Sequence, residues 1–334
     1  MSKLPLILAI ILYLLIYFIR YQQGGWEVEL DLFPQFRESL DQRISQLLPS
    51  PKSELLSGIL LGNKKDLPYE LRLNLRDTAT LHIVVVSGQN LTLLAGLFLS
   101  LSGLLKRKTA ILISILAIIF YTLLTGAQIP VVRAAIMATL SFTAQFFGRQ
   151  KESFWILVFT AGALLLINPK WIADLSFQLS FLATLGVIVI APILERALKF
   201  LPNFLKQDLA ITVGAQLMVM PIIIQNFHQL SWVGVFANLL ISWTIPIIMI
   251  LGTLTLIFGA IFAFLTNIFL TYFIYITQFF ASLPFAWEYV GEKIWLVWVG
   301  YYLVLAGIML SLNYDEQSSS SSKTEDPGRF KKSS

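Results

Sequence analysis

The sequence predicts an all-α fold, a polytopic transmembrane helical bundle of about nine to eleven spans at ~20 apolar residues a span. Two observations indicate this class. Hydrophobic residues make up 57% of the 334-residue chain and charged residues only 13%, about half the charged fraction of a soluble domain. From Leu81 onward the apolar runs are nearly continuous. A single soluble core could not bury that much apolar surface, so lipid is expected to cover the rest.

The N-terminal quarter of the chain differs from the rest. An apolar run from Leu4 to Ile19 is followed by no small-residue cleavage site, so residues 1–20 are predicted to be a membrane anchor and not a cleaved signal peptide. Residues 21–80 alternate acids and bases with leucines at helical spacing and are predicted to be an amphipathic, extracytoplasmic segment. Within it, Ser53 to Leu61 is predicted to be a second amphipathic stretch.

Residues 81–313 are predicted to form the transmembrane domain, and residues 314–334, with their serine run, a disordered tail. The run at 231–264 is too long for one plain span. It is either a re-entrant half-helix followed by a full span or two short spans. We predict spans at 81–104, 109–127, 131–147, 153–168, 172–194, 209–226, 231–264, 267–283 and 294–312.

Basic loops set the predicted orientation. Alternate loops carry the positive charges, while the loops between them are nearly neutral, so the positive-inside rule assigns the basic loops and the N-terminus to the cytoplasm. The tail is inside if 231–264 is one span and outside if it is two. The basic residues are Lys106, Arg107 and Lys108, then Arg149 and Lys151, then Arg196, Lys199 and Lys206.

Polar residues interrupt the apolar spans at several points, and such residues are costly in a membrane and often functional. The first group, His82 to Asn90, reads HIVVVSGQN. Either it packs helices through small and polar residues or it faces a wet cavity. The predicted substrate path consists of His82, Ser87, Gly88, Gln89, Asn90, Arg133, Asp174, Gln178, Gln216 and Asn238.

Arg133 follows Pro130 near the start of a predicted span and is flanked by small residues, which predicts close packing beside it. Either it snorkels to the headgroups or it faces a cavity and meets an anion. Asp174 and Gln178 share a helix face. Asp174 either pairs with Arg133 or caps the start of its own helix. Pro221 is expected to kink its span and free a carbonyl.

The sequence does not predict an enzyme. It has no HExxH helix and no phosphate-binding loop with a lysine. Ser87 and His82 are the only plausible nucleophile and base, but five residues of helix would turn them about 140° apart. The chain has no cysteine and two histidines, so we predict neither a metal nor a cofactor.

Three blocks occur in a characteristic order. Leu81 to Asn90 reads LHIVVVSGQN, Thr125-Gly126 precedes VRAAIM at Val132, and Asn168-Pro169 precedes DLSFQLSF at Asp174. Together they resemble the membrane-embedded competence domain of the ComEC family, and the resemblance covers about residues 54–260. The family's signature has a second histidine where this chain has Asn90.

The resemblance implies a channel or translocator in the bacterial cytoplasmic membrane that moves single-stranded DNA during competence. The implied partners are single-stranded DNA, the bilayer, a second copy of the chain, and separate DNA-receptor, nuclease and motor proteins. The chain has no room for the family's OB-like and metallo-β-lactamase-like domains, so we expect a core-only relative. The alternative function is transport of another anionic solute or an envelope precursor on the same core.

Overall fold

The structure is a computed structural model that describes residues 4–24, 31–63, 67–84, 88–100, 106–146, 152–198, 200–291 and 295–324. These residues are helical or irregular apart from one two-stranded sheet. It divides into two compact units, the first comprising Met1–Thr184 and Ser231–Glu288 and the second Leu185–Leu230 and Tyr289–Ser334. The described helices that begin in the first segment of the first unit are α1 (Leu4–Gln22), α2 (Pro34–Leu47), α3 (Lys52–Leu61), α4 (Tyr69–Asp77), α5 (Leu81–Val84), α6 (Gly88–Ser100), α7 (Arg107–Leu124), α8 (Ile129–Phe146), α9 (Ser153–Ile167), a 3-10 helix (Pro169–Ala173) and α10 (Leu175–Val189).

The remaining elements alternate between the units. They are α11 (Ala191–Ala197), α12 (Asn203–Phe227), β1 (Gln229–Ser231), α13 (Gly234–Ser242), α14 (Thr244–Phe258), α15 (Ala260–Ala281), β2 (Trp287–Tyr289) and α16 (Trp295–Thr324). Among the described residues, three helices are long and apolar enough to cross a membrane, and the number rises to five if each of two bent pairs is one span.

Helix α3 lies in the main hydrophobic core of the first unit. Ser53 and every residue from Leu55 to Leu61 are buried. The same core contains apolar residues of α2, α4, α5, α14 and α15, among them the fully buried Phe273. A Cβ at Gly252 of α14 would lie 2.6 Å from the Leu56 side chain, so the glycine is what lets the two helices approach. The prediction that Ser53 to Leu61 is amphipathic is therefore wrong, because α14 and α15, far along the chain, help the neighbouring helices to cover α3 on all sides.

Helices α6, α7 and α8 form a second cluster in the first unit. Its buried members include Leu91 of α6, Ile118 of α7, and Val131, Ala134 and Ala135 of α8. Small side chains let the backbones approach closely, which is how membrane helices commonly pack. The close packing that we predicted beside Arg133 is confirmed.

Helices α1 and α9 run parallel. The Tyr13 hydroxyl donates to the carbonyl of Gly162 near the middle of α9. At the end of α1, Arg20 donates from Nε to the carbonyl of Leu166 at 3.0 Å and from Nη2 to that of Ile167 at 2.9 Å. The last carbonyls of a helix have no partner within it. Arg20 therefore caps α9, and the two helices end together.

The long run at 231–264 folds as α13 and α14, which meet at a bend of 45°. Helix α15 begins at Ala260 immediately after Gly259, whose φ is +76°. We predicted that the break between the spans 231–264 and 267–283 lies at residues 264–267. In the structure the break is at Gly259, nearer to the N-terminus. After α15, Trp232 N–H donates to Ala286 O at 3.1 Å. The chain thus returns beside its starting point, and residues 234–281 form one helical hairpin.

In the second unit, α12 and α16 pack together. Pro221 lies inside α12 and cannot donate to the carbonyl of Leu217, four residues earlier. The Tyr301 hydroxyl of α16 donates to that carbonyl at 2.9 Å. The adjacent Tyr302 donates to Met218 O, also at 2.9 Å. The expectation that Pro221 frees a carbonyl is confirmed, and the structure adds the group that satisfies it.

Helix α16 continues to Thr324, beyond residue 314 at which the disordered tail was predicted to begin. Extending an existing helix costs much less than starting one, so a helix that begins in an apolar segment can continue into a polar one. Residues 325–334 of the predicted tail lie outside the described part of the chain.

Candidate functional site

Asn90, in the first polar block, is 1% exposed at the start of α6. Its Nδ2 donates to the carbonyl of Ile59 at 3.1 Å. That carbonyl is one of the last four of α3, which have no partner in their own helix. The Tyr121 hydroxyl of α7 lies near the Asn90 side chain. The contact that the structure describes for Asn90 is thus a helix cap.

Gln128 makes a second contact with the same end of α3. It lies just before α8, and its Nε2 donates to the carbonyl of Gly62 at 3.3 Å. Gly62 ends α3 with a left-handed φ of +75°. We did not predict this role for Gln128. The only sequence signal at Gln128 is an amide side chain between two apolar spans, and nothing in the local pattern indicates its partner.

For the other predicted path residues of the first polar block, His82 to Gln89, few contacts are described. His82 is exposed, and its Nδ1 lies 2.8 Å from the carbonyl of Ala79. Ser87 lies outside the described residues, as does the side chain of Gln89, and Gly88 begins α6. The predicted roles of these residues on a substrate path stay predictions.

Arg133 is a buried cation, 7% exposed, on α8. Its Nη1 donates to the Thr184 hydroxyl of α10 and lies 3.7 Å from the Met137 sulfur. Its guanidinium carbon lies 5.7 Å from the centre of the Phe181 ring. None of these three groups carries a negative charge. Thr184 was not predicted, because a threonine in an apolar helix usually just donates to its own backbone.

Asp174 does not pair with Arg133, so that alternative is wrong. Its Oδ1 accepts the N–H of Phe177 at 2.9 Å and caps the start of α10. Ten residues of helix separate it from Thr184, about 15 Å along the axis. Gln178 also has a local partner, since its Nε2 donates to Ile172 O at 2.9 Å.

The last two residues of the predicted substrate path, Asn238 and Gln216, belong to different units of the chain. Asn238 belongs to α13 of the first unit, where its Oδ1 accepts from Ser242 at 3.3 Å. Gln216 belongs to α12 of the second unit and is half-buried. The structure therefore brings Arg133 to Thr184 and Asn90 to the end of α3. The remaining described contacts of the predicted path are local.

Residues 59–314 match the family model described as "Competence protein". The chain belongs to the competence protein family. This confirms the family that the three sequence blocks suggested. The match begins at Ile59, the residue whose carbonyl Asn90 caps. Family membership and the apolar helices together identify a membrane protein.

Three curated relatives of this competence-family chain are similar over part of their length. ComE operon protein 3 of Bacillus subtilis is 28% identical over 199 residues, which is 59% of this chain and 25% of that protein. The uncharacterized protein YcaI of Escherichia coli is 28% identical over 246 residues, 70% of this chain and 32% of that protein. An uncharacterized protein of Aquifex aeolicus is 29% identical over 168 residues, 48% of this chain and 40% of that protein.

The competence-family chain thus spans between a quarter and two fifths of the relatives that it matches. No solved structure matches it.

Proposed function

We propose that this chain is a polytopic helical bundle of the bacterial cytoplasmic membrane that moves single-stranded DNA into the cytoplasm during competence. The observation that carries the proposal is the family match over residues 59–314. The similarity to ComE operon protein 3 of Bacillus subtilis supports the competence role. The chain acts as a conduit and not as an enzyme, and it works as a homodimer with separate receptor, nuclease and motor proteins.

The proposed topology has the N-terminus in the cytoplasm and residues 31–80 outside. In this topology α1 and α9 both begin at the cytoplasmic side of the membrane and run outward. Their parallel packing through Arg20 supports this shared direction. Helices α13 and α14 count as one bent span because the chain returns beside Trp232 after α15. The tail is then cytoplasmic, and the pairing of Trp298 with Gln225 at the far end of α12 supports that direction for α16.

Single cysteines test this topology, because the natural chain has none. Tyr69 is 77% exposed on the proposed outer side, and Lys108 is exposed on the proposed inner side. A membrane-impermeant maleimide is expected to label Tyr69→Cys in intact cells and Lys108→Cys only after the cells are opened. The reverse pattern, or labelling of both in intact cells, contradicts the topology.

The DNA step is tested in a strain that lacks the gene. Fluorescent double-stranded DNA is supplied, and nuclease-protected label in the cytoplasm is measured, with the amount of membrane-inserted protein as the control. Loss of uptake in the deletion strain and its return with the wild-type chain are expected. Unchanged uptake in the deletion strain would overturn DNA as the substrate and favour the alternative, transport of another anionic solute or envelope precursor.

A further inference from the structure

The Arg133 guanidinium is a buried positive charge for which the described part of the protein supplies no anion. Its described neighbours are a hydroxyl, a thioether and an aromatic ring, from Thr184, Met137 and Phe181. The acid on α10, Asp174, is held by the backbone at the start of that helix. A charge removed from water needs a counter-charge and hydrogen bonds to offset its lost hydration. An external anion would supply the counter-charge that the described residues do not.

One edge of the guanidinium has donors that could serve such an anion. Arginine has five N–H donors in a planar fork. The donor at Nε of Arg133 is buried and has no hydrogen-bond partner among the described residues. The described contacts of the fork use only Nη1. Nε and Nη2 lie side by side, and that edge matches two oxygens of one carboxylate or phosphate.

Helix α10 fixes the direction of this edge. The Thr184 hydroxyl donates its hydrogen to Ser180 O at 2.9 Å, so it presents a lone pair to Nη1 of Arg133. Phe181, on the same turn, lies against the guanidinium. Together the hydroxyl and the ring hold the fork in one orientation, and α8 supplies the charge and the Met137 sulfur beside Nη1. A donor set that is oriented before the ligand arrives loses less entropy when the ligand binds.

We propose that Arg133 and Thr184 form a binding site for one phosphodiester group, with Thr184 as a positioning residue. A diester carries one negative charge on two free oxygens, and it balances one guanidinium. A phosphate monoester or inorganic phosphate carries a charge of about −1.5 to −2 at pH 7 and would leave an excess in an apolar site. Only the carrier of the phosphodiester, nucleic acid backbone or lipid headgroup, rests on the proposed function.

The test uses the purified full chain in detergent with gluconate in place of chloride, and it measures the midpoint of thermal unfolding. Dimethyl phosphate at about 100 times its Kd is expected to raise the wild-type midpoint by about 3–6 °C. Inorganic phosphate should bind more weakly. Arg133→Met should abolish the shift and leave the unliganded midpoint equal or higher, because it removes an unpaired buried charge.

Arg37→Met is the matched control. Arg37 is ion-paired with Asp31 and donates to the carbonyl of Leu124, so its loss should lower the unliganded midpoint and preserve the ligand shift. Arg133→Lys keeps the charge without the fork and should bind dimethyl phosphate at least about tenfold more weakly. It also serves if Arg133→Met does not fold. A full shift in Arg133→Met, or wild-type affinity in Arg133→Lys, would overturn the site.

Two further ligands separate this inference from the proposed function. Oligothymidylate that binds more tightly than glycerophosphoglycerol supports both proposals. The opposite order supports the phosphodiester site and contradicts DNA as its carrier. Uptake that requires the gene but is normal with Arg133→Met would leave the DNA proposal standing and overturn a role for this site in it.

Discussion

The carbonyl of Leu217, which Pro221 leaves without a helical donor in α12, leads to a testable prediction. Its donor is Tyr301 of α16, and the adjacent Tyr302 provides a matched control. Changing Tyr301→Phe removes one oxygen and with it the donor to Leu217 O. Because Pro221 has no N–H, that carbonyl keeps no helical partner. Changing Tyr302→Phe removes the same atom and a bond of the same 2.9 Å length to Met218 O. By helix geometry, the N–H of Ile222 still serves that carbonyl.

The two substitutions should therefore differ in cost. A buried carbonyl left without a donor costs about 1–3 kcal/mol, whereas the net value of an ordinary hydrogen bond is about 0.5–1.5 kcal/mol. We expect Tyr301→Phe to lower the free energy of unfolding by about 2 kcal/mol. Tyr302→Phe should lower it by about 0.5–1 kcal/mol, since its acceptor keeps one bond.

The assay is thermal unfolding of the purified chain in one detergent, followed by tryptophan fluorescence. A difference of 1 kcal/mol corresponds to about 2–4 °C in the midpoint for domains of roughly 150–250 residues. Tyr301→Phe should unfold at least about 2 °C below Tyr302→Phe. Equal midpoints for the two variants would refute the reasoning that the proline leaves the carbonyl dependent on α16.

Two further predictions concern contacts between helices. Asn90→Ala should cost about 2–3 kcal/mol because it leaves the Ile59 carbonyl unpaired in the core, whereas Asn226→Ala, which removes an exposed amide-to-carbonyl bond of 2.8 Å, should cost less than about 0.5 kcal/mol; equal melting shifts would contradict the capping role. Gly186→Ala would put a Cβ 2.2 Å from Gly214 O and should destabilise the chain by about 1–3 kcal/mol. Gly300→Ala has open space around it and should be neutral or slightly stabilising, so a Gly186→Ala protein that melts no lower than Gly300→Ala would contradict the close approach.

The composition and the order of the sequence blocks predicted the all-α class and the family, because both depend on local patterns. Boundaries were predicted less well. The hydrophobic run at 231–264 has no local interruption as strong as the turn that Gly259 makes with its φ of +76°. A glycine within an apolar run is compatible with either a helix or a turn, and only the return of α15 onto α14 distinguishes them.

For the candidate site, too, the sequence predicted some features and not others. Arg133 and Asn90 could be selected from the sequence because a polar side chain in an apolar run is costly. Their partners could not. Asn90 caps a carbonyl 31 residues away, and Arg133 contacts Thr184 51 residues away. Thr184 gives no signal of its own, since its bond to Ser180 O is the ordinary one for a threonine in a helix.

Helix α3 also has a consequence for how the protein is made. Its ten residues are too few to span a bilayer. Two of the helices that cover it, α14 and α15, are synthesised late. Lys52 bonds to Asn267 of α15 at 2.7 Å, 215 residues further along the chain. At ribosomal speeds of about 5–20 residues per second, α3 waits roughly 10–40 s for them. During that interval its leucines need a temporary cover, from the headgroup region or an insertion factor, and the main core of the first unit closes only after α15 has been made.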